Sequence, residues 1–144
     1  MRISVRGRYG IRLLIDLAEH RDESHIPLSI IAERKHISIR YLEQVAVILR
    51  RFGFIRSIKG TSGGYTLAQS PQDINIGAVL RALEGDMLVV DPPLPGSVET
   101  KLQRCIRLTV FDRLNERIAS VIDRQTLASL VGTVDPEESY MYFI

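Results

Sequence analysis

The chain has 144 residues, 45% of them apolar, and a formal net charge of +2, which suits one ordinary domain or a small domain with a helical extension. That near-balance hides a split, because residues 1 to 70 hold 12 Lys+Arg against 6 Asp+Glu, net +6, whereas residues 71 to 144 hold 7 against 11, net −4. The opening MRISVRGRYG lacks an apolar run and no stretch is long enough to cross a bilayer, so secretion and membrane insertion are not expected and a cytoplasmic protein is; a lone Cys105 excludes an intrachain disulfide.

Arg2, Arg6, Arg8 and Arg12 crowd the first dozen residues, and Ile11, Leu14, Ile15 and Ala18 mark an amphipathic helix from Tyr9 to about Glu19. Those arginines either reach nucleic-acid phosphates or are simply solvated. A polar loop ends at Pro27, and a short helix over Leu28–Lys35 buries Leu28, Ile31 and Ala32. Only His36 and Ile37 separate it from Ser38, a candidate cap for a second helix in which Leu42, Val45, Ala46 and Leu49 form the buried face. Arg40, Glu43, Gln44, Val47 and Arg51 then face outward, and Gly53 supplies the left-handed stop. Residues 54–58 and 65–67 alternate apolar and polar around a basic, glycine-rich tip, which predicts a hairpin.

Helix, tight turn, helix and hairpin together describe a winged helix-turn-helix offered to double-stranded DNA. The plain alternative is a helical hairpin packed on a β-hairpin for structural reasons alone. Under the DNA reading the candidate contacts are Arg6, Ser38, Arg40, Tyr41, Glu43, Gln44, Lys59, Thr61 and Ser62. Glu43 sits where its carboxylate can accept from a cytosine amino group, Arg40, Tyr41 and Gln44 suit phosphates or base edges, and the wing residues suit the backbone or minor groove. Gly60, Gly63 and Gly64 serve the turn rather than a nucleotide.

Ser70-Pro71 breaks the chain, and Asn75 is placed to cap a helix over Ile76–Glu84 that stops at Gly85. Residues 86–97, with Pro92, Pro93 and Pro95, form a stiff connector. From Val98 onward Leu102, Ile106, Val110, Leu114, Ile118 and Ile122 recur at every fourth position, reinforced by Cys105, Phe111 and Val121. This predicts one helix of about 25 residues, some 37 Å long. So long a stripe exceeds what its own chain can cover, so a homodimer through Leu102, Ile106, Val110, Leu114, Ile118 and Val121 is expected, against packing back on its own first domain. A dimer addresses half-sites ~34 Å apart and implies a palindromic operator. Thr126 can cap a last short helix stopped by Gly132, and the acidic tail ends in Tyr140, Met141, Tyr142, Phe143 and Ile144, an apolar patch that something should cover. The expected fold is mainly α with a small β wing: a winged helix-turn-helix domain (1–85), a connector (86–97), a dimerisation helix with a short terminal helix (98–132) and a tail (133–144).

An enzyme reading finds little, since His20, His25 and His36 fall on separate segments with no nucleophile, base or metal-ligand spacing.

The stretches MRISVRGRYG, ISIRYLEQ, KGTSGGY, INIGAVLRALEG and QTLASLV, taken together, resemble the Rrf-two family of bacterial winged-helix regulators over essentially the whole chain. The closing YMYFI is similar to a branch that represses cysteine-metabolism genes. The resemblance implies a DNA-binding transcriptional repressor in which Glu43 reads bases. It also implies a partner, cysteine synthase (O-acetylserine thiol-lyase), with Tyr140 to Ile144 as the docking peptide; a tail folded on the dimer is the alternative. Some members hold an iron–sulfur cluster on three cysteines in the connector and early dimer helix, with a further ligand nearby. Here only Cys105 remains, and Leu108 stands where a histidine is expected, so no cluster, metal or other cofactor is expected. Cys105 is then either a small buried hydrophobe or, beside Arg104 and Arg107, a redox switch. Rival functions are a redox- or ligand-gated regulator without a protein partner, and an interaction module whose DNA binding is vestigial.

Overall fold

The computed structural model describes residues 1–132; Tyr140, Met141, Tyr142, Phe143 and Ile144 lie outside them. Helix α1, Val5–Glu19, begins four residues before the Tyr9 start that apolar spacing suggested. Ser4 caps it, its hydroxyl accepting from Arg6 N at 3.2 Å, and the Glu84 carboxylate accepts from Ser4 N and Gly7 N. Free amides at a helix start need acceptors, and one comes from 77 residues away in the chain. Leu13, Leu14 and Leu17 are buried on α1, and so is Asp16. Arg34 Nε and Nη2 donate to the two Asp16 oxygens at 3.1 and 2.7 Å, which clamps helix α2, Leu28–Lys35, onto α1.

Helix α2 stops at His36, whose φ of 52° lets the chain reverse, and α3, Ile39–Arg51, follows. Leu42, Val45, Ala46 and Leu49 are sealed in the core as their spacing requires. Full burial of side chains of this size contributes roughly 1.5–3 kcal/mol each for the larger ones. Ser38 holds the cap position without a side-chain capping bond; only its carbonyl works there, accepting from Tyr41 N and Leu42 N. Gly53 (φ 80°) turns the chain into β1, Ile55–Ile58, antiparallel to β2, Gly64–Leu67, with Ile55 opposite Leu67 and Ile58 opposite Gly64. Ile26 adds a bridge beyond β2, exchanging backbone bonds with Tyr65 at 2.8 and 2.9 Å.

Helix α4, Ile76–Glu84, is capped by Asn75 Oδ1 accepting from Ala78 N at 3.0 Å. After the connector the chain enters α5, Lys101–Ile106, under a capping box between Thr100 and Gln103. The helix therefore starts three residues later than the apolar repeat suggested, and Val98 is 95% exposed ahead of it. Arg107–Phe111 form a π-helical turn, and α6, Asp112–Asp123, continues the rod. Leu102, Ile106, Val110, Leu114 and Val121 are exposed, whereas Ile118 is half-buried and Ile122 packs against the core. Arg81 of α4 grips Asp123 at 2.6 and 3.0 Å, and Asn115 pins the connector through Val89 N and Val90 O. A last helix, α7, Leu127–Leu130, carries Leu127 wholly buried in the core of the amino-terminal unit, held by Leu127 N to Ile74 O at 2.8 Å. Among the described residues no helix is long and apolar enough to cross a membrane.

Candidate nucleic-acid interface

The polar face of α3 stands clear of the fold. Arg40, Glu43 and Gln44 are exposed, Tyr41 is 51% exposed and Val47 46%. The first turn of α1 flanks this face, and a cleft of about 330 Å³ between them is lined by Ser4, Val5, Arg6, Tyr41, Gln44 and Val45. A second cleft of about 350 Å³ lies against Arg40, Tyr41 and Gln44. Arg6, Arg40, Tyr41 and Gln44 are thus brought together, with Glu43 further along the same exposed face. The exposed Ser38 hydroxyl, not engaged in capping, lies at the start of that helix.

Tyr41 is held by a ring contact. Its ring meets Tyr9 edge to face at 6.1 Å and 81°, and the Arg12 guanidinium sits 5.6 Å from the centre of the Tyr9 ring. Arg12 also donates to Lys35 O at the end of α2, so it braces the protein instead of presenting a free charge to phosphate. Tyr9 and Asp16 were not among the expected site residues, although Asp16 left a signal: a carboxylate on the apolar face of an amphipathic helix, beside Leu13 and Leu17.

Lys59, Thr61 and Ser62 are exposed at the wing tip. His25 Nε2 bonds Ser62 O, and Ser24 Oγ lies 2.8 Å from His25 Nδ1, so the loop before α2 steadies the tip. Gly63 and Gly64 leave no room for side chains: a Cβ would come 2.2 Å from Ile58 O and 2.5 Å from the Ile26 carbonyl. The tip therefore holds its shape through backbone contact. The wing tip and the outer face of α3 are separate exposed surfaces, and the rod residues Leu102, Ile106, Val110 and Leu114 belong to a different element.

Among the described residues Cys105 is exposed, contrary to the buried-hydrophobe expectation; Thr109 Oγ1 lies 3.9 Å from its sulfur. Among the described residues no three His, Cys, Asp or Glu side chains converge to hold a metal. The chain's single thiol does not fit an iron–sulfur cluster, which calls for about four soft ligands.

A family model described as "Iron-dependent Transcriptional regulator" (Rrf2) matches residues 3–133. The HTH-type transcriptional regulator CymR of Bacillus subtilis (strain 168) is 36% identical over 145 residues, covering 100% of both chains. The solved structure of CymR, the global cysteine regulator of B. subtilis, superposes with a TM-score of 0.79 at 32% identity, covering 94% of this chain and 99% of that one. Staphylococcus aureus CymR in its oxidized form gives a TM-score of 0.72 at 36% identity, covering 94% and 99%. With a helix-turn-helix, a two-stranded wing and a trailing rod shared across the full length of such relatives, the chain belongs to the Rrf2 family of transcriptional regulators.

Proposed function

We propose that the protein is a homodimeric repressor of cysteine and sulfur-metabolism genes that reads a palindromic operator and takes cysteine synthase as co-regulator. The observation that carries this reading is the exposed face of α3, with Arg40, Tyr41, Glu43 and Gln44 outward beside Arg6. Glu43 reads bases, Ser38, Arg40, Tyr41 and Gln44 meet phosphates or base edges, and Lys59, Thr61 and Ser62 reach the backbone or minor groove. Residues 1–85 form the reading unit, and the helix beyond the 86–97 connector joins two copies. Support for pairing comes from Leu102, 69% exposed, with Val110 at 45% and Leu114 at 44%, an apolar stripe too costly to leave in water. The likeness to CymR supports the cysteine-linked targets.

The docking peptide is Tyr140 to Ile144: a terminal carboxylate suits backbone N–H groups of an enzyme's substrate site, with the Ile144 side chain in an apolar slot. Footprinting with and without cysteine synthase and O-acetylserine tests the whole reading. A protected palindrome that responds to the enzyme is expected; no protection sinks DNA reading, and protection indifferent to the enzyme sinks the partner. Deleting Ile144 should abolish enzyme binding and leave operator binding intact.

A second reading, redox gating without a protein partner, is favoured by the exposure of Cys105. It predicts fast stoichiometric modification of the native protein by a thiol reagent, with a matching change in operator affinity.

A further inference from the structure

Glu84, the last residue of α4, reaches the first turn of α1 and concentrates three donors on one oxygen. Its Oε1 accepts from Ser4 N at 3.0 Å, Ser4 Oγ at 2.7 Å and Gly7 N at 2.9 Å. A helix amino end carries about half a positive charge on unmet amides, so the carboxylate there is held by charge as well as by hydrogen bonds. Gly7 is buried and shaped to the contact: a Cβ on it would stand 2.3 Å from Glu84 Oε1. The amino end of α1 is consequently closed to a DNA phosphate. What the latch does fix is the place of Arg6, which lines the cleft against Tyr41 and Gln44, and of Tyr9, whose ring abuts Tyr41. One turn earlier on the same helix, Arg81 holds Asp123 of the rod.

We infer that Glu84 is a positioning residue for operator recognition: without touching DNA, it sets the first turn of α1 against α3, and through α4 links that setting to the rod. The inference rests on the assignment of α3 as the DNA-reading helix. Random DNA is held mainly by distributed positive charge, which Glu84 does not supply, whereas operator preference needs side chains in register with base edges.

The test uses the full chain titrated with an operator duplex and a random duplex of equal length at one salt concentration, with thermal unfolding in parallel. Glu84→Ala and Gly7→Ala should each lower the operator-to-random affinity ratio by roughly 10-fold while random-duplex affinity stays within about 2-fold, since a displaced contact typically costs that order of discrimination. Glu84→Gln, which keeps an acceptor oxygen without the charge, should lose less. Combining Glu84→Ala with Gly7→Ala should lose no more than the worse single change, because both break one latch. The parallel thermal unfolding separates positioning from stability; if Glu84→Ala fails to fold, Gly7→Ala and Glu84→Gln decide. A wild-type ratio in Gly7→Ala and Glu84→Gln, equal losses on both duplexes, or additive losses overturns the inference. A wild-type protein that does not distinguish the duplexes overturns the α3 assignment and this inference with it.

Discussion

Asp16 is, among the described residues, the fully buried charged side chain of the core, and its two oxygens are taken up by Arg34, with Lys35 Nζ at 4.0 Å and His20 Nδ1 at 3.6 Å. A buried carboxylate is tolerable only when its hydrogen bonds are met, and here meeting them docks α2 on α1. Removing it leaves Arg34, which is 31% exposed and can turn to water, so the cost falls at the low end for such pairs. Asp16→Ala should destabilise by about 3 kcal/mol in urea unfolding; a loss under about 1 kcal/mol, the scale of a surface pair, would show that the clamp is not needed. A residue of this kind is only half legible in a sequence. Its position on an apolar face marks it as unusual, but its partner Arg34 lies on another helix, and no local spacing names it.

At the scale of elements, α3 and the wing have different physics, and substitutions should separate them. Glu43→Ala removes a carboxylate suited to one base edge, so it should cost about 1–3 kcal/mol on the operator with little change on random DNA. Lys59→Ala removes a point charge, so it should weaken both duplexes alike and reduce the slope of log affinity against log salt by about 0.9. Titrations of each variant at several salt concentrations give both quantities; equal losses on both duplexes for Glu43→Ala would refute base reading. The elements themselves were legible wherever the signal is local. The four buried residues of α3 follow helical spacing, Asn75 caps α4, and Gly53 takes a positive φ. Where partners are distant the sequence is mute: the start of α1 depends on Glu84, and the Ile26 bridge ties the loop before α2 to Tyr65 of β2, a pairing that no short pattern names. Ser38 holds the expected cap position but makes no side-chain bond there, and Val98 lies ahead of the rod, since a capping residue type and an apolar repeat describe what a position allows; the Thr100 capping box decided where the rod begins.

Across the whole molecule, one end of the rod is tied to the chain's own first unit and the other carries the exposed stripe. Leu114→Asp should turn the protein monomeric in sedimentation and lower operator affinity by at least about 10-fold, because a lone unit addresses one half-site; a dimer of unchanged affinity would refute pairing through this face. The tie at the other end is acid-sensitive. Hydrogen bonds from Arg81, and then its charge, hold the Asp123 carboxyl below its ordinary pKa. A carboxyl with a lower pKa folded than unfolded contributes fully above the unfolded value and loses that contribution as pH falls through the folded one. The acid limb of the stability curve, below about pH 4, should therefore be flatter for Asp123→Asn than for wild type, by a small amount because the pair is solvated. The π turn at Arg107–Phe111 explains how one rod faces two ways. Each four-residue step on a regular helix overshoots by about 40°, so the apolar line would spiral away after Leu102. An extra residue in the wide turn takes back about 100° of phase, which keeps Leu102, Ile106, Val110 and Leu114 in line. Past it the spiral resumes: Ile118 and Ile122 swing inward toward their own core, and Val121, 63% exposed, inherits the outer edge. The angular offset between what the rod offers a neighbour and what it keeps for itself is thus written in a single residue's worth of winding.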